Sequence, residues 1–394
     1  MILILKISEL VGKLISPLII KRLSKMSLKA ELPNELSKNN SSNTLKIRKW
    51  STFTDIALGY DLGLARSYLE AKWDTSDLTQ VFKLMINNST NKSNTILNYT
   101  PEKFISRIQH KIKSYNLRIN AKKNIKEHYD ISNELFGLFL DESMTYSSGY
   151  FKEPNLNLNQ AQLGKLDNLF LKSGLKQNDH ILDLGCGWGG LIIRAAEKFN
   201  CTGVAVTLSK NQYEFTKDKI NKLNLNNQIT VLLEDYRNLN GKFDKIFSVE
   251  MLEAVGHSGL KEFFIQSSKL LNNNGILSLQ VITVPDERYE SYRKNCDFIQ
   301  KYIFPGGLLL SHKYILETMQ NNSDLIEKEY ISIGEHYVKT LEQWKENFSA
   351  NLDEIYKLGF SDKFIRKFIY YFSYCQAAFD TKHIDNLQIF IRKK

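Results

Sequence analysis

The sequence predicts an α/β protein whose main domain is a doubly wound, mostly parallel sheet preceded by a helical lobe. Three observations point there. From about residue 160, short apolar runs alternate with amphipathic stretches: HILDLG (180–185), GVAVT (203–207), ITVLL (229–233), FDKIFSV (243–249) and GILSLQVI (275–282). Helical patterns fall between them near 189–200, 210–224 and 259–272, the alternation expected of βαβ units. The first run closes on the glycine-rich turn GCGWGG, where a strand hands over to a helix. Upstream, from about Leu45 to Asn120, the apolar spacing is helical instead.

Taken in order, the chain starts with MILILKISELVGKLISPLIIKRLSK, an apolar stretch broken by Lys6, Glu9, Lys13 and Pro17. It has no uncharged run long enough to span a bilayer. Helical spacing with basic flanks predicts a helix lying on a membrane surface; a signal or transit peptide is the competing reading. Residues 34–44, NELSKNNSSNT, read as a linker, and NNSTNKSN (87–94) as a polar gap inside the lobe. The expected division is a segment 1–45, a helical lobe 46–120 and a main domain 121–394 with a helical insertion at about 285–330. After residue 285 the chain becomes mixed and aromatic, then runs through YISIGEHYV (330–338), two helices and a last strand, LQIFIRK (387–393).

A chain of 394 residues with 42% hydrophobic content suits a globular protein of two or three domains. Its four cysteines (Cys186, Cys201, Cys296, Cys375) form no CxxC pair, which argues against a disulfide framework and for a reducing compartment. None of the seven histidines stands in HxxxH spacing, so no metal site is expected. The net charge of +10 favours an anionic partner, nucleic acid or lipid headgroups. With no NPPY-type tetrad and no basic stripe interleaved with aromatics, nucleic acid is not the expected one.

The turn Asp183-Leu184-Gly185-Cys186-Gly187-Trp188-Gly189-Gly190 lets backbone approach a ligand and exposes helix N-terminal N–H groups. GxGxxG alone would suggest a dinucleotide, but that site wants an acid about twenty residues on, at the next strand end. Here that strand ends in Thr207. LDLGCGWGG instead resembles motif I of S-adenosylmethionine-dependent methyltransferases. Asp235, Tyr236 and Arg237 follow the third strand, where an aromatic can stack on adenine and an acid can accept from its amino group.

Seven islands occur in order: HYDISNELFGLFLDESMTYSSGYF, LDLGCGWGGL, GVAVTLSKNQ, EDYRNL, FDKIFSVEMLEAVGH, DFIQKYIFPGGLL and HYVKTLEQW. Together they resemble the cyclopropane-fatty-acyl-phospholipid synthase family, which includes the mycolic acid cyclopropane synthases. The resemblance runs from about Ile47 to the C-terminus. It implies a Rossmann-like methyltransferase domain with added helices covering an acyl pocket, and methylene transfer from S-adenosylmethionine to a cis double bond of a phospholipid acyl chain.

By position, the resemblance makes Tyr146 and Ser147 a pair closing over the cofactor, Gly185, Gly187 and Gly189 the cofactor loop, and Thr207 and Gln212 the ribose contacts. It puts Tyr236 and Arg237 on the adenine side. The family is understood to hold a bicarbonate as base with a Cys, a Glu, a His, a backbone group at an Ile, and a Tyr. Glu253, Ile282 and Tyr337 keep three of those positions, whereas Ser148 stands for the cysteine and Gln280 for the histidine. Both replacements can donate a hydrogen bond; neither carries the ionic character of a thiolate or imidazolium. Bicarbonate therefore remains a candidate second ligand.

Cys375 matches a family cysteine that has been given a catalytic role. Methylene transfer needs no covalent enzyme intermediate, so a buried helical cysteine is the preferred reading. Glu250 is read as support for Glu253 or for the sheet edge, and Phe304 to Gly307 as a packing turn. The expected partners are a phospholipid membrane surface and its unsaturated acyl chains, with a homodimer as a candidate assembly and a cytoplasmic, peripherally membrane-associated location. Three rivals stay open: methyl- or methylene-branching of the same chains, an amine N-methyltransferase of the coclaurine type, and a membrane-binding pseudoenzyme.

Overall fold

The computed structural model describes residues 2–34, 41–89 and 132–394. Most of the polar gap at 87–94, the end of the expected lobe near 120 and residues 128–131 of the HYDI stretch lie outside them. The elements are α1 (Ile2–Lys25), β1 (Lys29–Glu31), β2 (Thr44–Ile47), α2 (Ser51–Gly59), α3 (Asp61–Leu69), β3 (Trp73–Asp74) and α4 (Leu78–Ser89), then α5 (Asn133–Gly137) and α6 (Leu158–Ser173). The alternating region follows as β4 (His180–Leu184), α7 (Gly190–Phe199), β5 (Thr202–Thr207), α8 (Lys210–Lys222), β6 (Ile229–Leu233), β7 (Phe243–Val249), α9 (Leu252–Leu270) and β8 (Leu271–Thr283). Last come α10 (Asp286–Tyr292), α11 (His312–Asn322), β9 (Leu325–Ser332), α12 (Gly334–Ala350), α13 (Leu352–Lys357), α14 (Asp362–Asp380) and β10 (Asp385–Lys393).

The chain forms two compact units. The first takes residues 1–112, 294–303 and 352–383, and so is discontinuous, where the sequence reading draws contiguous boundaries at 45 and 120. The physical reason is α14. Its Arg366 donates to the carbonyls of Tyr68 (2.6 Å) and Trp73 (3.0 Å) and lies 3.8 Å over the Tyr68 ring. Gln376 further along accepts from Thr79 at 3.0 Å. These contacts, with the buried rings of Phe53, Trp73 and Tyr370, make α14 part of the helical unit's core. In the same unit Glu9 of α1 accepts the backbone N–H groups of Trp50 (2.9 Å) and Ser51 (3.3 Å), orphan donors at the start of α2. The acid that interrupts the apolar N-terminal stretch is thus a structural cap.

The second unit, residues 113–293, 304–351 and 384–394, holds a seven-stranded sheet in the order β6-β5-β4-β7-β8-β10-β9. Strands β6 to β8 pair in parallel, while β10 runs antiparallel to both β8 and β9. On one face α6 and α7 bury Leu166, Leu169, Phe170, Ile192 and Ala195; on the other α9 and α11 bury Leu260, Phe263, Ile315 and Met319. The end of the expected helical insertion is strand, because Leu325–Ser332 pairs with β10.

Local chemistry fixes the elements that carry the site. Asn157 and Gln160 form a capping box at the start of α6, and Gly174, at φ 63°, ends it. Ser209 caps α8 by accepting from the Gln212 N–H. The strand ends of β4, β5 and β7 open on one side of the sheet, the side where doubly wound sheets bind ligands.

Candidate active site

A cavity opens at those strand ends. Its wall includes Asp183, Gly185 and Gly187 from the β4–α7 turn, Thr207 and Gln212 from the β5–α8 turn, Glu234 and Tyr236 after β6, and Glu250 and Met251 after β7. Tyr146, Ser147 and Lys165 close it from the lid and α6. Gly185 sits at φ 76° and Gly187 at φ 55°, conformations that suit glycine. A Cβ on Gly187 would meet nothing within 4 Å, so the backbone there faces open space that a ligand can fill.

The lid is built from its own acid. Asp141 accepts the N–H groups of Ser143 (2.9 Å) and Thr145 (3.1 Å). Gln162 of α6 donates to the Ser147 carbonyl at 2.7 Å, and Thr340 of α12 accepts from Gly149 N–H at 3.0 Å. Trp188 of the glycine turn donates to Asn133 of α5 at 2.9 Å. The Tyr146 ring packs between Phe136 and Trp344, both 5.1 Å away between centroids, with Phe304 at 6.2 Å. An aromatic wall of this kind excludes water and faces positive charge with its rings.

Charges within the cavity are shifted by burial. Asp183 accepts from Ile192 N–H, yet its Oδ2 is buried with no partner, and burial pushes the carboxyl up to about 7. Lys165, wholly buried, donates to Ser147 Oγ at 2.6 Å, and burial pulls its ammonium down to about 8. Thr207 donates to the Gln212 carbonyl oxygen at 2.8 Å, which leaves the Gln212 amide hydrogens on the cavity side. Of the three residues expected beside adenine, Tyr236 lines the cavity, whereas Asp235 and Arg237 pair with each other at 2.6 Å. Glu234, which the sequence reading passed over, lines it instead.

The five residues compared with a bicarbonate site are drawn together differently from expectation. Ser148 N–H (3.1 Å), the Gln280 amide (2.9 Å) and the Tyr337 hydroxyl (2.9 Å) all donate to Glu250, and the Asn386 amide adds a fourth bond at 2.8 Å. Ser148 Oγ turns back to the Gly149 carbonyl, and the Gln280 oxygen accepts from Gln388. Of the five, only Ile282 bonds to the Glu253 side chain, through its N–H at 2.6 Å. The other Glu253 oxygen is buried with no partner, and burial, with the Glu250 charge second, pushes this carboxyl up to about 8. These residues do not fit a bound bicarbonate, because the donors expected to hold it are taken by a side chain of the protein. Glu250 is the centre of the cluster rather than a support.

Cys375 lies on α14 in the first unit, where burial raises its thiol above the usual range and leaves it a poor nucleophile. The FPGG turn is tied to the site through Leu308 N–H, which donates to the Glu253 carbonyl at 2.8 Å. Lys165 did leave a signal in the sequence: it stands on the buried stripe of α6, four residues after Ala161 and four before Leu169.

The model of the mycolic acid cyclopropane synthetase family matches residues 117–389. The chain belongs to this family. It is 32% identical over 349 residues to the cyclopropane-fatty-acyl-phospholipid synthase of Escherichia coli, across 88% of this chain and 86% of that one. To the tuberculostearic acid methyltransferase UfaA1 of Mycobacterium tuberculosis it is 33% identical over 344 residues, across 83% and 78%. Among solved structures, mycolic acid cyclopropane synthase CmaA1 in complex with SAH and CTAB superposes with a TM-score of 0.65 at 32% identity, covering 69% of this chain and 98% of that one. This member of the family is an S-adenosylmethionine-dependent methyltransferase. The orphaned Asp183 oxygen, the open approach at Gly187 and the free Gln212 amide fit such a cofactor.

Proposed function

We propose that the protein adds a methylene from S-adenosylmethionine across the cis double bond of an unsaturated phospholipid acyl chain, closing a cyclopropane ring. The observation that carries this reading is the placing of a carboxylate, Glu250, and an aromatic ring, Tyr146, on the cofactor cavity itself, with Phe136 and Trp344 packed against that ring. Bound S-adenosylmethionine supplies the electrophilic methyl group. An alkene is a weak nucleophile, so the chain's task is to hold it in line and dry, which the lid does. Attack leaves positive charge on the alkene carbon, which aromatic faces stabilise. A carboxylate then takes a proton from the new methyl group.

Branching of the same acyl chain is the second reading. It is favoured by the relationship to a tuberculostearic acid methyltransferase and by the altered Ser148 and Gln280 positions. The test is to incubate the protein with methyl-deuterated S-adenosylmethionine and vesicles of cis-unsaturated phospholipid, then analyse the acyl chains by mass spectrometry before and after ozonolysis. A ring resists ozone and keeps all but one of the transferred deuterons; a methylene branch is cleaved. An unlabelled acyl chain refutes both.

Docking on a membrane surface through α1 would give access to such a substrate. On α1, Ile4, Ile7, Val11, Leu14 and Leu18 are exposed along one face, with Lys6, Lys13 and Lys21 exposed beside it. Among the described residues no helix is long and apolar enough to cross a membrane. Replacing Leu14 and Leu18 together by Glu is expected to weaken binding to anionic vesicles by about a hundredfold or more, since each buried leucine contributes roughly 1.5–3 kcal/mol. Unaltered vesicle flotation with both substitutions would exclude α1 as the docking element.

A further inference from the structure

We infer that the side chain of Glu250 is the base of this enzyme, standing where a dissociable anion would otherwise be needed. The inference rests on the reading under Proposed function and deepens it. Three independent features converge on it.

The first is hydrogen bonding. Glu250 Oε1 accepts from Ser148 N–H, the Gln280 amide and the Asn386 amide, and Oε2 accepts from the Tyr337 hydroxyl. These donors come from the lid, β8, β10 and α12. Four convergent donors are the complement of a carboxylate, and a free anion would need the same ones.

Backbone conformation is the second. Glu250 sits at φ 50°, in the left-handed region where a side chain is disfavoured. Its N–H is fixed there by the Gln280 carbonyl at 2.7 Å. A glycine would occupy this position without strain, yet the chain carries an acid. Strain retained at a cavity wall points to use.

The third is the contrast between the two acids. Glu253 has a buried oxygen without a partner, and burial pushes its carboxyl up to about 8, so near neutrality its side chain is protonated. Glu250 lines the cofactor cavity and accepts from all four donors.

The step balances without an external base. Once the cofactor's methyl has bonded to one alkene carbon, a Glu250 oxygen takes a proton from that methyl. The C–H electron pair closes on the cationic neighbour to form the last ring bond, and the proton leaves Glu250 to solvent before the next turnover.

The test uses the full-length protein, Glu250→Gly and Glu250→Gln, with 13C-labelled bicarbonate as the probe. The wild type is expected to give no saturable 13C NMR broadening and to turn over equally well in bicarbonate-depleted buffer. Glu250→Gly removes both the strain and the carboxylate. It should lose turnover by a hundredfold or more, bind bicarbonate, and recover part of its activity with bicarbonate or formate but not chloride. Glu250→Gln should lose turnover without such rescue. Saturable bicarbonate binding by the wild type, bicarbonate-dependent wild-type turnover, or full activity in either variant would overturn the inference. Because the NMR arm needs no lipid, a wild type inert on acyl chains would count against the proposed substrate while the anion result stood on its own.

Discussion

Gly185→Val is expected to abolish cofactor binding and to lower the melting temperature at once. Gly185 ends β4 at φ 76°, and a Cβ there would come within 2.9 Å of Met251 Cγ. A β-branched residue in the left-handed region is a conformational outlier with a cost on the order of 1–3 kcal/mol, before Met251 is displaced. Met251 follows Glu250 directly, so the displacement would spread to the proposed base. Affinity for S-adenosylmethionine should fall by about a hundredfold or more, given that about 1.4 kcal/mol is tenfold. Gly187→Ala separates the two effects. Its φ is 55°, but nothing stands within 4 Å of the added Cβ. That methyl would enter the cavity, so binding should weaken with a smaller loss of stability. Calorimetric titration and thermal melts of the pair check this; equal loss of stability in both would contradict it.

The second large effect is in pH. The folded protein holds the Asp183 proton to about pH 7, where the unfolded chain releases it near 3.8. Between those values the folded state carries the extra proton, so stability falls as pH rises, and the loss is complete above about 7. Glu253 acts in the same direction and extends the fall to about pH 8. Lys165 has the opposite form: its burial cost is full below about 8 and is relieved as pH climbs toward 10.5. The ligand-free protein should therefore be least stable near pH 8. Asp183→Asn should flatten the slope between about pH 4 and 7 and stabilise the ligand-free protein at pH 8 by on the order of 4 kcal/mol at most. It should also weaken cofactor binding, the usual trade at a strained site. S-adenosylmethionine carries a sulfonium and an ammonium, and a cation beside Asp183 favours its ionised form. Binding near pH 7 should thus release protons, seen as a dependence of the binding heat on buffer ionisation enthalpy. Proton uptake instead would reverse the sign and refute the assignment.

Much of the cofactor side could be read from the sequence because it is local. The DLGCGWGG turn, the Thr207–Gln212 spacing and Tyr236 each lie within a few residues of a strand end, and the strand–helix alternation fixes that end as the ligand side. The Glu250 cluster was illegible for the opposite reason. Its donors are separated from it by 30 residues at Gln280, 87 at Tyr337, 102 at Ser148 and 136 at Asn386, and its positive φ belongs to the backbone, not to residue type. The course of the chain between the units was hidden in the same way. Nothing in the periodicity of α14 says that Arg366 reaches the carbonyls of Tyr68 and Trp73, nearly 300 residues earlier.

The central claim is that one carboxylate, Glu250, serves acyl chemistry at a cofactor cavity in which Glu253 is a positioning acid. The measurement that tests it most directly is turnover on cis-unsaturated phospholipid vesicles by Glu250→Gln and Glu253→Gln, side by side, with cofactor affinity measured for both. Removing a general base costs about 10²–10⁴-fold, and Glu250→Gln should fall in that range with affinity for S-adenosylmethionine nearly unchanged. Glu253→Gln, which mimics the protonated side chain, should lose no more than about tenfold. The reverse order, with Glu253→Gln inactive and Glu250→Gln active, would contradict the account.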